Sequence, residues 1–337
     1  MTTPQFGKLS KVDPRKAWTS EPADFTPWLR ENVTLLAAEL GLDLEATGTE
    51  VAVGKFAVDI HGKDVTNKGR PFIIENQLEE TDHRHLGQLM TYAGGLDAAT
   101  VIWVAPRFCE EHRRALDWLN EKTVDEVDFF GVEVELLQID GSALAPHFRV
   151  VAQPNAWAKR TKSKTAEDAT SEKASRRIEF LSHVLEAAKA TQKDLTNASR
   201  VSYSSSVWFT AGRNGFYFSW NFNQAGNIRV EVGIDTGNLE ANLWYFDRLQ
   251  AQEDALVAAL GMPIDWVRKE SQKLQRLVVW GPVGWAIDRA DSDVQQMEKW
   301  AVDTMLKVAA SLKPRIKALP SFAAWMGEMG QEPPESS

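Results

Sequence analysis

Asp59, Glu75, Asn76, Gln77, His85, Gln88 and Tyr92 fall in one stretch, Phe56 to Tyr92, and two of them, the carboxylates Asp59 and Glu75, have the spacing of a cation-binding pair. Lys55 to Ile60 (KFAVDI) and Pro71 to Leu78 (PFIIENQL) are rich in Val, Ile and Phe. Gly54, Gly62, Asn67, Gly69 and Pro71 bound them, so they read as adjacent antiparallel strands. Alternation along a strand puts Ile73, Glu75 and Gln77 on one face and Phe72, Ile74 and Asn76 on the other, and it groups Lys55 with Ala57 and Asp59. Pairing the strands brings Asp59 beside Glu75. Two carboxylates among apolar neighbours are costly unless a cation or a proton is shared between them. Mg²⁺ takes one or two carboxylates, keeps several waters and accepts phosphate oxygens, which suits such a pair.

The elements around the pair must hold it in place. A helix begins near Asp82, with Thr81 or Asp82 as its cap, Leu86, Leu89, Met90 and Ala93 as its packing stripe, and His85, Gln88 and Tyr92 at three- and four-residue spacing. Such a polar stripe suits phosphate or base contacts. An earlier helix, Asp24 to Leu42, is capped by Thr26 before Pro27 and buries Leu29, Val33, Leu36, Ala37 and Leu40. Glu31 and Glu39 lie off that stripe, and Glu50 stands in the strand leading to Gly54; each is a candidate to approach the acidic centre. Thr100 to Ala105 (TVIWVA) has the composition of a buried strand. Phe108 to Lys122 follows as a helix that turns Leu116, Trp118 and Leu119 inward, then Phe129 to Ile139 as a further strand. The alternation gives an α/β fold, a mixed sheet sandwiched by helices.

The order helix, strand, strand with Asp59, strand with Glu75-Asn76-Gln77, and helix with Gln88-Leu-Met-Thr-Tyr92 resembles the PD-(D/E)XK nuclease superfamily, whose fold is restriction-endonuclease-like, in particular its RecB-like members with a Q-x-x-x-Y helix. The phrases IENQLEETDHRHLGQLMTYAGGLDAATVIWVA and EEHRRALDWLNE also resemble a bacterial subfamily in which this module precedes a C-terminal domain of unknown function. The resemblance implies a nuclease, an endonuclease rather than an exonuclease, acting on DNA in defence, restriction or repair. It makes Asp59 and Glu75 ligands of Mg²⁺ or Mn²⁺, with the Asn76 carbonyl and an acid such as Glu50 as further ligands. It gives Gln88 and Tyr92 a role in supporting the site or contacting the scissile strand, with His85 beside them. Gln77 occupies the usual lysine position, where glutamine offers a hydrogen bond in place of a charge. Lys55, on the Asp59 face, is a candidate for the missing cation.

The 337 residues, 43% hydrophobic and 25% charged, suffice for two domains of ordinary composition. The opening MTTPQFGKLSKVDPRK has no apolar core of a signal peptide and no apolar run approaches the roughly 20 residues of a membrane span, so the cytoplasm is the expected compartment. Cys109 alone makes neither a disulfide nor a cysteine zinc site, and histidines two apart on a helix, His83 and His85, point in different directions. Residues 1–152 hold 15 Lys and Arg against 25 Asp and Glu, a net −10 that disfavours a generic DNA-binding surface. This acidity and Gln77 motivate the alternative of an inactive nuclease-like module that serves binding or assembly.

Residues 153–177 shift to Lys, Thr, Ser and Ala and read as a basic flexible linker. Residues 178–329 read as an α+β domain that binds another protein or nucleic acid, with a helix at Ile178 to Lys193 and strands at Val207 to Thr210, Gly215 to Phe222 and Asn227 to Ile234. Helices at Leu239 to Leu260 and Ser292 to Lys313 flank a strand-like Leu277 to Trp280. Phe216, Phe218, Trp220 and Phe222 share a face that either stacks bases or packs under helices. The acidic tail, 330–337, reads as disordered. Cutting both strands of a duplex would favour a homodimer.

Overall fold

A computed structural model describes residues 6–53, 56–124, 127–154, 168–199, 201, 206–289, 293–321 and 326–327. The chain forms two units, Met1–Ala166 and Glu167–Ser337, each built on its own sheet. The expected linker lies for residues 155–167 outside the described residues, as does the acidic tail.

The first unit is a seven-stranded mixed sheet flanked by helices, the α/β architecture that the alternation of elements implied. Its strands are β1 (Leu9–Val12), β2 (Leu44–Val53), β3 (Phe56–Asp64), β4 (Arg70–Asn76), β5 (Thr100–Ala105), β6 (Asp128–Ile139) and β7 (Ala145–Ala152), in the order β1-β6-β5-β4-β3-β2 with β7 also on β6. β2, β3 and β4 are antiparallel, whereas β4, β5 and β6 run parallel. The parallel pairs need crossovers, and these are the helices α3 (His83–Gly95) and α4 (Glu110–Lys122).

β3 continues past Gly62 to Asp64, because that glycine is a close approach and not a turn: a Cβ there would meet the Glu45 carbonyl oxygen at 2.1 Å. The turn comes at Val65–Gly69, where Lys68 and Gly69 hold φ of 58° and 70°. Buried Asp64 ties it to the sheet, accepting from the Asn67 N–H at 3.2 Å and the Thr100 hydroxyl at 2.6 Å.

Each sheet face has its own apolar cluster. Ile60, Phe72, Ile74, Ile102 and Val104 pack under α1 (Thr26–Glu31) and α2 (Val33–Leu40), with Leu29, Val33, Leu36, Ala37 and Leu40 buried as expected. Ile73, Val101 and Trp103 pack with Leu89 and Tyr92 of α3 and Leu116 of α4. The first helix is therefore two short ones broken at Asn32, whose side-chain amide donates to the Trp28 carbonyl at 2.8 Å and competes with the helical ladder. It is preceded by a π-helical turn, Glu21–Phe25, capped by Ser20, so Thr26 lies inside the helical run and is not its cap. Trp118 is on the outer face of α4 and exposed, contrary to its expected burial; Leu116 alone of the three anticipated residues is fully buried.

The second unit is α+β. Its sheet runs β11-β12-β10-β9-β8, all antiparallel, from β8 (Val207–Arg213), β9 (Phe216–Phe222), β10 (Ile228–Ile234), β11 (Asp265–Val267) and β12 (Gln275–Trp280). Helices α5 (Asp168–Thr191), α6 (Leu239–Gln250), α7 (Glu253–Leu260) and α8 (Val294–Ala318) supply its core. α5 begins ten residues before the expected Ile178. The Phe216, Phe218, Trp220 and Phe222 rings are buried in that core, and Trp220 Nε1 donates to the Ala301 carbonyl at 2.9 Å, so this face does not stack bases. No helix among the described residues is long and apolar enough to cross a membrane.

Candidate metal centre

The acidic pair lies where β4 ends. Ile60 faces Ile74 and His61 faces Ile73, and one further step of that register sets Asp59 opposite Glu75. Regular pairing stops there. On the other side Thr49 faces Ile60 and Val51 faces Val58, which leaves Glu50 across from Asp59, and Glu50 holds a left-handed φ of 51°. The strand reverses its faces at this point: Ile60 joins the cluster under α1 and α2, whereas Val58, two residues earlier, joins the cluster under α3. An irregularity of this kind re-aims a side chain out of the ordinary alternation.

Asp59 Oδ2 accepts the Asn76 N–H at 2.8 Å, which fastens its carboxyl to the end of β4. Glu75 is 3% exposed, and its Oε2 has no hydrogen-bond partner. Burial pushes the Glu75 carboxyl up to about 9, with the charges of Asp59, Glu21 and Glu50 adding to the rise and that of Arg84 opposing it. Burial likewise raises Asp59 to about 7; the Asn76 N–H works against this, and Glu21 and Glu50 reinforce it. Each acid thus makes ionisation of the other harder.

The third acid is Glu21, which the sequence reading passed over. Asp24, held by the Thr19 and Ser20 N–H groups at 2.9 Å, closes the loop before the π-helical turn. Glu21 Oε2 then accepts the Leu78 N–H at 2.8 Å, just beyond β4. An acid followed by proline, one residue after a Ser cap, marks a helical start and was the available signal. Glu31 and Glu39 are exposed, and neither charge is felt at Asp59 or Glu75. Glu50 is exposed and its charge is felt at both.

Gln77 is held by hydrogen bonds at both its amide oxygen and its amide nitrogen. It is fully buried, its Oε1 accepts from Trp103 Nε1 at 2.9 Å, and its Nε2 donates to the Glu80 carbonyl at 2.8 Å. The Asn76 side chain faces the opposite cluster and donates to Thr26 Oγ1 at 2.9 Å. Lys55 lies outside the described residues.

On α3 Gln88 and Tyr92 are joined as expected, in a chain that starts at Arg84 and leaves out His85. Arg84 Nε donates to Gln88 Oε1 at 3.3 Å, and Gln88 Nε2 donates to the Tyr92 hydroxyl at 3.1 Å. Burial raises the Tyr92 phenol, the Gln88 hydrogen bond opposes this, and Glu75 and Asp59 add to it. His85 serves the cap: its N–H donates to Asp82 Oδ1 at 2.9 Å and its Nδ1 lies 2.8 Å from Asp82 Oδ2. His83 is exposed and meets His112 Nε2 with its Nδ1 at 3.0 Å, away from the carboxylates. The His112 Nδ1 lies 3.0 Å from Cys109 Sγ and 2.9 Å from Thr81 Oγ1, which joins the starts of α3 and α4.

No group of three or more His, Cys, Asp and Glu side chains among the described residues is arranged to hold a metal ion. Asp59 and Glu75 stand at facing strand positions, and one Glu75 oxygen is buried and unpaired. Two carboxylates with the rest of the shell left to water match Mg²⁺ or Mn²⁺ and do not match zinc.

Residues 176–316 match a family described as "Domain of unknown function (DUF4268)". Among solved structures, a repair endonuclease from Pyrococcus abyssi is similar at 21% identity and a TM-score of 0.26, over 29% of this chain and 43% of that one. No curated protein matches the chain.

Proposed function

We propose that the first unit hydrolyses phosphodiester bonds of nucleic acid, DNA foremost, with Mg²⁺ or Mn²⁺ held by Asp59 and Glu75. One observation carries the reading: a buried carboxyl oxygen without a partner, on Glu75, with the half-buried acid Asp59 on the facing strand. An unpaired buried charge is expensive, and a structure keeps one where a cation or a reacting group completes it. The bound ion would supply charge against the developing phosphorane and lower the pKa of a nearby water.

The chain's own groups do the rest. Asn76 N–H fixes Asp59, and Leu78 N–H fixes Glu21, so both acids are aimed from the same end of β4. Glu50, exposed at the rim, is the carboxylate available to take the proton of an attacking water. Gln77 acts as a strut between Trp103 and Glu80.

The test is a matrix of Mg²⁺, Mn²⁺ and Ca²⁺ against plasmid, linear duplex and single-stranded DNA, with Glu75→Ala as control. Cleavage with Mg²⁺ or Mn²⁺ that Glu75→Ala abolishes is the expected result. Equal behaviour of the two proteins across the matrix rejects it. The second reading, an inactive module that binds a partner, is favoured by the locked Gln77. It expects Asp59→Asn to keep the partner and the wild type to ignore Mg²⁺ in calorimetry.

A further inference from the structure

Glu21, Glu50, Asp59 and Glu75 are all acids, and those that a bound metal ion would hold ionised repel an incoming phosphate. A bound divalent ion offsets two of those charges. A phosphodiester and its more highly charged transition state call for a further cation. Gln77 is uncharged and pinned at both ends of its amide, and Lys55 lies outside the described residues.

We propose that Arg84, at the exposed start of α3, is the residue that grips the scissile phosphate. Three observations converge on it. Arg84, Gln88 and Tyr92 stand at four-residue steps on one face of α3, linked by the 3.3 Å and 3.1 Å hydrogen bonds, so the arginine stem is braced from a helix and not from a loop. The brace uses Nε alone, which leaves the two terminal nitrogens, the fork that matches two phosphate oxygens, for a ligand. Among the described residues Arg84 forms no ion pair, although its charge reaches Glu75 and the Tyr92 hydroxyl.

Other arginines nearby are spent. Arg113 pairs with Glu110 and Asp117, Arg114 with Asp117, and Arg107 with Glu80. Arg84 is thus an exposed cation whose charge is felt at Glu75 and whose fork is open. Gln88 and Tyr92, which the polar stripe suggested as phosphate contacts, become its positioning residues.

The inference rests on the nuclease reading, and the experiment separates the two. Binding of a fluorescein-labelled 20-nucleotide duplex is measured by anisotropy in Ca²⁺ over a range of salt for the wild type, Arg84→Ala and Arg84→Lys. Mn²⁺ affinity and cleavage of the same duplex in Mg²⁺ are measured alongside. Arg84→Ala should weaken duplex binding at least tenfold and reduce the slope of log K against log salt by about 0.9, the loss of one phosphate contact. Its Mn²⁺ affinity should stay within about threefold of wild type. Arg84→Lys should restore the salt slope but less than a tenth of the cleavage rate, because a point charge does not reproduce the fork. If the wild type binds duplex but cleaves nothing, the nuclease reading fails while the salt slope still decides for or against Arg84. If Arg84→Ala binds with wild-type slope, or the wild type does not bind the duplex at all, the assignment is wrong.

Discussion

Metal binding at Asp59 and Glu75 should release protons, and the number is fixed by the burial of the pair. A carboxyl raised to about 9 is protonated at neutral pH, and one raised to about 7 is partly so, yet an ion binds only the ionised forms. Release should exceed one proton per ion near neutral pH, approach two in mild acid and vanish in strong alkali. Affinity for Mn²⁺ should therefore weaken about tenfold per pH unit on going from 9 down to 7, and more steeply below 7. Calorimetric titration in buffers of different ionisation enthalpy reads the proton count directly. Glu75→Gln removes the larger contributor, so its release at pH 7.5 should drop well below one proton and its affinity fall sharply. Tight Mn²⁺ binding by the wild type with no proton release at pH 7.5 would refute the reasoning, because it would mean that the ion sits elsewhere or that the pair is already ionised.

The same burial governs stability without metal. A raised carboxyl pKa contributes stability that is fully present below the ordinary carboxylate range and lost as pH rises through about 7 and then about 9. Thermal melting of the metal-free chain should fall between pH 5 and pH 9, Glu75→Gln should flatten that fall, and parallel curves for the two would contradict it. Gln77→Leu should cost about 2–3 kcal/mol in urea unfolding, since Trp103 Nε1 and the Glu80 carbonyl lose their partner; a smaller loss would mean that Gln77 is not a strut. Glu21→Gln should weaken Mn²⁺ binding about tenfold by calorimetry. Glu31→Gln and Glu39→Gln, both at exposed positions, should stay within about twofold of wild type.

Much of this was legible because period and side-chain chemistry agreed. Thr100–Ala105 is a strand with the bounds its composition gave, Asp82 is the one of the two expected caps that caps α3, and β3 and β4 pair antiparallel as expected. What failed to show concerns contacts between distant parts of the chain. Gln77 looks like a catalytic position from spacing alone. Only the approach of Trp103, on the neighbouring parallel strand, shows that its amide is consumed. Glu21 lies before the expected helix because Thr26-Pro27 gives an equally good helical start, and the choice between the two starts is made by Asp24 closing onto Thr19 and Ser20.

The deepest limit on the sequence reading is parity itself. Strict alternation places Asp59 with Glu75 but would leave Val58 on the side of Ile60, under α1 and α2. The fold instead puts Val58 with Ile73 under α3 and gives Glu50 a left-handed backbone across from Asp59. A non-glycine residue in that conformation costs on the order of 1 kcal/mol or more, and its neighbours must hold it there. The strained residue is itself an acid whose charge is felt at both buried carboxyls, so the irregularity and the acidic cluster occupy the same few residues. The register of β2 on β3 is the same on both sides of this point, so the irregularity is confined to Glu50 and Asp59, the two acids that face each other across it.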